Sequence, residues 1–261
     1  MKPLIKLLLL LICSNATAAD ELPRFELGAS LLAVTTPDYR GSESDSSYLI
    51  PIPYIKYRGE RLRVDEGAQG IFRSTENMLI TLSGNVSLGV DDDIPEREGM
   101  DELKPILEIG PSVNFRLHQM QHSAWWLDLP LRFAFTLDSE IEAIGQVFQP
   151  RLSWRKPATR LGEWKLRFNI GPLYSSDRHH EYFYSVGNDE VTPTRSAYNA
   201  DGGFSGYRTE FTYSKRYGKI WLGGFLRYDS LRESEIEDSP LVFEETAWVG
   251  GIALGWVFHE H

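Results

Sequence analysis

Cysteine is almost missing from this chain of 261 residues. The one that occurs, Cys13, lies in a short N-terminal leader. Beyond the leader there is therefore no thiol, no disulfide and no cysteine-held metal. Long apolar runs are scarce as well. The only one is residues 7–12, well below the roughly 20 residues of a membrane-spanning helix. With 42% hydrophobic residues and a mean hydropathy of -0.30, no helical membrane protein is indicated. Positive charge is in deficit, with 27 Lys and Arg against 37 Asp and Glu and a net charge of -10, which argues against nucleic acid as a partner. No linker, low-complexity tract or long repeat divides the sequence, so one domain is expected.

The leader itself is informative. Lys2 and Lys6 make a basic start, residues 7–12 an apolar core, and Ala16-Thr17-Ala18 a small-residue cleavage site. That is the pattern of a secretory signal peptide over residues 1–19, with cleavage on either side of Ala19 and a mature domain over 20–261. A lipid-modified Cys13 is the weaker reading, because Ile12 is bulky where a small residue is usual. Losing Lys2 and Lys6 takes the basic residues from 27 to 25 against 37 acidic, a net charge of -12. Acidic loops of this kind suit a surface rich in divalent cations.

What is present is alternation, clearest over residues 103–137. Leu107, Ile109, Pro111, Val113, Phe115 and Leu117 interleave with Glu108, Gly110, Ser112, Asn114, Arg116 and His118. After a break at 119–123, Trp125, Leu127, Leu129, Leu131, Phe133, Phe135 and Leu137 interleave with Trp126, Asp128, Pro130, Arg132, Ala134 and Thr136. A period of two marks strands, and a tight polar break between two such runs marks a hairpin. These runs exceed the about five or six residues of an ordinary strand and match the roughly nine to eleven that cross a bilayer. The polar face carries Glu108, Arg116, Asp128 and Arg132, so the reading is inverted: apolar residues face lipid and charges face a lumen.

The same pattern recurs over 25–33, 48–58, 61–66, 68–74, 78–90, 146–156, 164–175, 204–214, 220–229 and 248–258. With the opening hairpin this makes an antiparallel up-and-down transmembrane β-barrel of about 12 strands. Twelve is even, as single-chain bacterial barrels require. If residues 61–74 form one bent strand, ten is the fallback. Pro51 and Pro53 each remove a ladder donor and predict irregular pairing along 48–58. Gly67 and Gly70 predict a low or bent wall at the shortest hairpin. Short connections (58–60, 119–123, 157–163, 215–219) alternate with long ones (35–47, 91–102, 176–202, 230–245), the asymmetry of periplasmic turns and external loops. Tyr57, Trp125, Trp154, Trp164, Tyr217 and Trp256 sit beside the short turns or the C-terminus, as a periplasmic aromatic girdle would. The location implied is the outer membrane of a Gram-negative bacterium.

Several stretches resemble the MipA/OmpV family of outer-membrane proteins. They are Pro37-Asp38-Tyr39-Arg40-Gly41-Ser42, Pro51-Ile52-Pro53-Tyr54, Arg97-Glu98-Gly99-Met100-Asp101, Glu108-Ile109-Gly110-Pro111-Ser112, Ala197-Tyr198-Asn199-Ala200-Asp201-Gly202-Gly203 and Ser239-Pro240-Leu241-Val242. Trp256-Val257-Phe258 is similar to the aromatic-x-Phe ending that barrel-assembly machinery reads. The His259-Glu260-His261 tail departs from that ending. The resemblance implies a barrel without established catalytic residues. It also implies a scaffold role, because the family's namesake interacts with a lytic transglycosylase.

Candidate sites were weighed against plainer readings. Inward Glu108, Asp128, Glu210 and Asp229 lie among Arg116, Arg132, Arg151, Arg167, Arg208 and Arg227, and mixed signs favour pairing in a plugged lumen over a selectivity ring. Asp177-Arg178-His179-His180-Glu181 lacks a third ligand at metal-site spacing. His118 and His122 flank a turn and read as solvated. Ser112 and His118 share a face but lie too far apart for nucleophile and base. Asp91-Asp92-Asp93 and residues 233–238 lack calcium-loop spacing and read as solvated acidic loops. No catalytic, cofactor or metal residue is assigned. The expectation is a non-enzymatic barrel in contact with outer-membrane lipid and with a periplasmic murein hydrolase or synthase. A pore for small solutes and a lipid-acting enzyme are the alternatives.

Overall fold

A computed structural model of the chain describes residues 22–65, 68–87, 89–90 and 94–261. The expected signal peptide and Asp91-Asp92-Asp93 lie outside the described residues. Thirteen strand segments form one antiparallel sheet: β1 (Phe25–Pro37), β2 (Asp45–Arg58), β3 (Leu62–Val64), β4 (Ala68–Ser74), β5 (Met78–Ser87), β6 (Ile106–Gln119), β7 (Ala124–Thr136), β8 (Ala143–Phe148), β9 (Arg151–Lys156), β10 (Lys165–Ser175), β11 (Gly203–Tyr217), β12 (Ile220–Ser230) and β13 (Thr246–Glu260). β8 and β9 both bridge β7 and β10, so they are one stave broken at Gln149-Pro150. Residues 146–156 were expected as one unbroken strand. Pro150 brings no backbone donor to the ladder, and the pairing lapses there.

Pairing of β1 with β13 closes the ring at twelve strands. Arg61–Ser74 splits into β3 and β4, so twelve holds and ten does not. β13 continues through His259 and Glu260, and His261 exchanges backbone hydrogen bonds with Phe25 (2.9 and 3.0 Å). The tail after Phe258 is thus part of the closing seam. That seam has a register shift at Gly28, where a Cβ would lie 2.2 Å from the Trp256 carbonyl oxygen. Only glycine permits so close an approach.

Burial follows the inverted rule. Glu26, Thr81, Ser112, Asn114, Asp128, Ser153, Asn169 and Asp229 are buried inside, while Leu49, Phe133, Leu152, Phe211, Leu254 and Phe258 are exposed on the outer surface. A water-soluble sheet does the reverse, so the outer band is a lipid-facing surface. Among the described residues no helix is long and apolar enough to cross a membrane.

One wall is low. β2 pairs with β1 over its whole length, but with β3 only at Tyr57 and Arg58. β4 in turn meets β5 only from Gln69 to Ser74. Residues two apart aim their N–H groups at the same neighbour, so Pro51 and Pro53 lack donors on a single edge. With the β1 ladder continuous, that edge is the one facing β3, and unpaired edges are where proline is tolerated.

The apolar core lies above the barrel. The external loops bring together Tyr39, Met100, Leu103, Tyr184, Val186, Ala200, Leu231, Ile236 and Leu241 as a cap. The loop over 176–202 opens with a helix, α1 (Asp177–Tyr184), whose Tyr184 packs in this core and whose His180 is buried beside it. Residues 233–238 read in the sequence as a solvated acidic loop. Its acidic side chains Glu233, Glu235 and Asp238 are exposed, but Ile236 among them and the flanking Leu231 and Leu241 are buried. Four of the stretches that carry the family resemblance supply Tyr39, Met100, Ala200 and Leu241 to this core.

Candidate functional site at the periplasmic mouth

The lumen is filled by paired charges in layers. At the external end Asp229 meets Arg208 at 2.6 Å, Arg227 at 2.8 Å and Arg40 at 3.7 Å. Arg132 meets Glu108 at 3.3 Å. Lower down, Asp128 binds Arg155, lies 3.5 Å from Arg151 and accepts a hydrogen bond from Ser153 Oγ at 2.7 Å. Glu210 accepts from Asn169 Nδ2 at 3.0 Å. At the periplasmic end Glu26, wholly buried, holds Arg58 and Arg216 at 2.6 Å each and accepts from the Tyr54 hydroxyl at 2.8 Å. Each strand delivers these groups inward because its polar residues recur at period two. Arg116 is the outlier: it lies at the rim, 3.7 Å from the exposed Glu76, with its guanidinium 5.9 Å from the Trp126 ring.

A strut crosses the periplasmic mouth. Asp65, between β3 and β4, holds Lys56 at 2.5 Å and also binds Lys165 at the start of β10. β10 stands on the opposite side of the ring, six strands from β3 in either direction. Two cavities open at this mouth, of about 320 and 650 Å³. Arg63, Asp65, Gly162 and Lys165 belong to the walls of both. The larger one is lined by Trp126, Trp164, Arg155, Lys156 and Arg167, with Gln69, Gln121 and His122. His122, expected to be merely solvated, thus stands at the edge of a vestibule.

The external side is built differently. Glu96 Oε1 accepts from Ser42 Oγ (3.0 Å), Glu43 N (3.0 Å) and Ser44 N (2.9 Å). Burial pushes its carboxyl up, but backbone hydrogen bonding and the Ser42 and Ser44 donors outweigh this and hold it below the ordinary range. Arg195 donates to the carbonyls of Glu96 and Glu98 at 3.1 and 2.9 Å, and Tyr39 to that of Leu241 at 2.7 Å. These bonds tie loop to loop over the external opening.

One serine–histidine contact emerges that the sequence did not suggest. His180 Nε2 lies 2.5 Å from Ser205 Oγ, and Nδ1 lies 2.7 Å from the Asp201 carbonyl. Ser205 is completely buried and also bonds Ser175 Oγ at 3.0 Å. A nucleophile needs access and its base an orienting acid; here the pair joins α1 to the ends of β10 and β11. Ser112 instead contacts Asn114, with His118 out on the rim. Among the described residues no group of three or more His, Cys, Asp or Glu is placed to hold a metal, and the 177–181 segment forms α1.

Lipid-facing strands, a charge-filled lumen, short turns at one end and long loops at the other define an outer-membrane β-barrel. A profile of the family described as MltA-interacting protein MipA matches residues 27–258, and the chain belongs to that family. A relative from Vibrio anguillarum, outer membrane protein Omp26La, is 28% identical over 91 residues, about a third (34%) of each protein's length. Among solved structures, a bacterial polysaccharide outer membrane secretin superposes with a TM-score of 0.44 at 10% identity, over 90% of this chain and 99% of that one. An outer membrane channel from Pseudomonas putida F1 does so with a TM-score of 0.41 at 10% identity, over 94% of this chain and 100% of the other.

Proposed function

We propose that the protein is a non-enzymatic scaffold that holds peptidoglycan-remodelling enzymes against the inner face of the outer membrane. The observation that carries this reading is the contrast between the two ends. The external loops pack into a bonded cap and the lumen is occupied by ion pairs, whereas the periplasmic mouth is concave and accessible. The description of the family, MltA-interacting protein, supports a partner on that side. A periplasmic enzyme would meet the turns over 157–163 and 215–219. Photo-crosslinkers at Thr159 and Lys215 are expected to capture a murein lytic transglycosylase in cells, and substitutions there to abolish capture without altering barrel stability. Unchanged capture after both turns are replaced refutes this reading.

The signal peptide over residues 1–19 is part of the proposal, since the barrel must cross the inner membrane first; N-terminal sequencing of the mature protein at or next to Ala19 tests it. A second reading, passage of small solutes, is favoured by the low wall between β2 and β5. Planar-bilayer conductance separates it from the scaffold. For a lipid-acting enzyme the one serine–histidine contact described above, Ser205 with His180, is buried, and lipid turnover by purified protein would be its sign.

A further inference from the structure

We infer that the lumen behind the low wall seats one acyl chain of a membrane lipid, entering sideways between β2 and β5. Two strands break the barrel's pattern. Residues 31–34 of β1 and 49–55 of β2 carry only apolar or aromatic side chains, on both faces. Such strands occur where both faces meet apolar matter. One face presents the exposed Leu31, Leu49 and Ile55 and meets lipid. The register fixes the other: Leu32 lies opposite Ile50, and Ser30 opposite Ile52, on the side where Tyr54 donates to Glu26 at 2.8 Å. Leu32, Val34, Ile50 and Ile52 therefore look into the lumen. All four keep accessible surface, and none belongs to the cap core. The opposite lumen wall carries the Glu108, Asp128 and Asp229 ion pairs, whereas this strip has no charged side chain.

The wall beside the strip is open. Among the described residues β2 has no strand partner above Tyr57 on its β3 edge, and β5 has none above Ser83 on its β4 edge. The β3–β4 hairpin closes this window from below, and the bonds from Ser42 and Ser44 to Glu96 close it from above. Leu49 and Val86 flank it on the outer surface, 66% and 60% exposed. The window thus gives onto lipid, and the strip continues the lipid-facing surface inward. A strand from a partner or a second copy would need donors along β2, and Pro51 and Pro53 withhold two of them. From Tyr48 to Ile52 the strip rises roughly 13 Å at about 3.3 Å per residue. That is close to half the roughly 30 Å hydrocarbon core, the depth of one leaflet's chains. The window lies away from the periplasmic turns, so enzyme docking and chain binding stand or fall separately.

The test is photolabelling of the full-length barrel in vesicles of dioleoylphosphatidylcholine, doped with a phosphatidylcholine that carries a diazirine within one acyl chain. Adducts are mapped by peptide sequencing. They are expected on lumen-facing Leu32, Ile50 and Ile52 as well as on lipid-facing Leu254, and not on Thr212, which lies opposite Arg167 on the charged wall. Moving the diazirine to the headgroup should leave the strip unlabelled. Ile50→Asn combined with Val34→Asn should cut the adducts at Leu32 and Ile52 about tenfold, because an unpartnered amide disfavours a chain beside it. Labelling at Leu254 should not change. The double variant is first shown to keep its folded, heat-modifiable gel mobility, and Ile50→Thr with Val34→Thr replaces it if it does not. Adducts confined to the outer surface overturn the proposal, as does equal labelling of Thr212 and Ile52. So does wild-type labelling of the strip in the double variant, or crosslinking of two barrels across Leu49 in place of lipid adducts.

Discussion

Asp128 has no solvent-exposed surface and three partners, Arg151, Arg155 and Ser153. A buried ion pair contributes little net stability, because desolvation offsets attraction, but removing one partner leaves the others charged and uncompensated. Asp128→Ala should therefore destabilise the barrel by about 3–5 kcal/mol, measured by urea unfolding in lipid vesicles. Leu131 stands next to Arg132, whose side chain reaches Glu108 inside the lumen. Leu131→Arg places a cation in lipid and should cost about 2–4 kcal/mol near the bilayer centre. A lipid-phase probe should label Leu131→Cys and spare Arg132→Cys; the opposite labelling would reverse inside and outside. His180 belongs to the cap, and its proton affinity is set by burial, with the charge of Arg40 acting in the same direction and the Asp201 carbonyl opposing both. The net shift is downward, so the neutral ring is the folded form. The contribution to stability is full above the ordinary histidine value of about 6.5 and declines as pH falls below it toward the folded value. Proteolysis of the 176–202 loop should accelerate as pH falls below about 6.5; burial lowers the neighbouring His179 as well, to about 3, so His180→Gln should weaken that dependence and the double variant with His179→Gln remove it.

At the scale of the elements, the closing seam is the most sensitive feature. Gly28→Val drives a side chain against the Trp256 carbonyl, so it should abolish the heat-modifiable form, whereas Phe258→Ala should lower its yield. A fully folded Gly28→Val barrel would show that the seam can shift register. Deleting residues 259–261 should also cost stability, since Glu260 binds Arg216 and His261 bonds Phe25. The staves were readable because alternation is a local property: Leu107 to Leu117 declare their face within one run of sequence. Arg132, Arg151 and Asp229 were placed in the lumen by the same rule. The cap was not readable. Tyr39, Leu103, Leu231 and Ile236 are isolated apolar residues in polar loops without a period, and they meet only after the barrel has gathered the loop ends. α1 escaped notice because its eight residues span barely two turns and carry Asp177, Arg178, His179, His180 and Glu181. The strut escaped for a topological reason: Asp65 and Lys165 are 100 residues apart on opposite walls, and no local signal links them.

For the molecule as a whole, the distribution of charge and closure fixes what purified protein should do in a planar bilayer. Twelve strands enclose a narrower lumen than the about 16–18 of open porins. Within it the Asp229, Glu108, Asp128 and Glu26 clusters occupy successive heights, and the cap covers the external end. Little steady conductance is therefore expected from the wild type. The Asp65 strut is only the lowest of these obstacles. Asp65→Ala should merge the two periplasmic cavities, yet leave conductance low because the layers above remain paired. If Asp65→Ala alone produced large, stable ohmic steps, the strut would be a gate and the paired layers no barrier. Transport would then displace scaffolding as the leading function. Low conductance in both proteins, together with capture of a murein enzyme at the 157–163 and 215–219 turns, is the joint outcome expected of a scaffold.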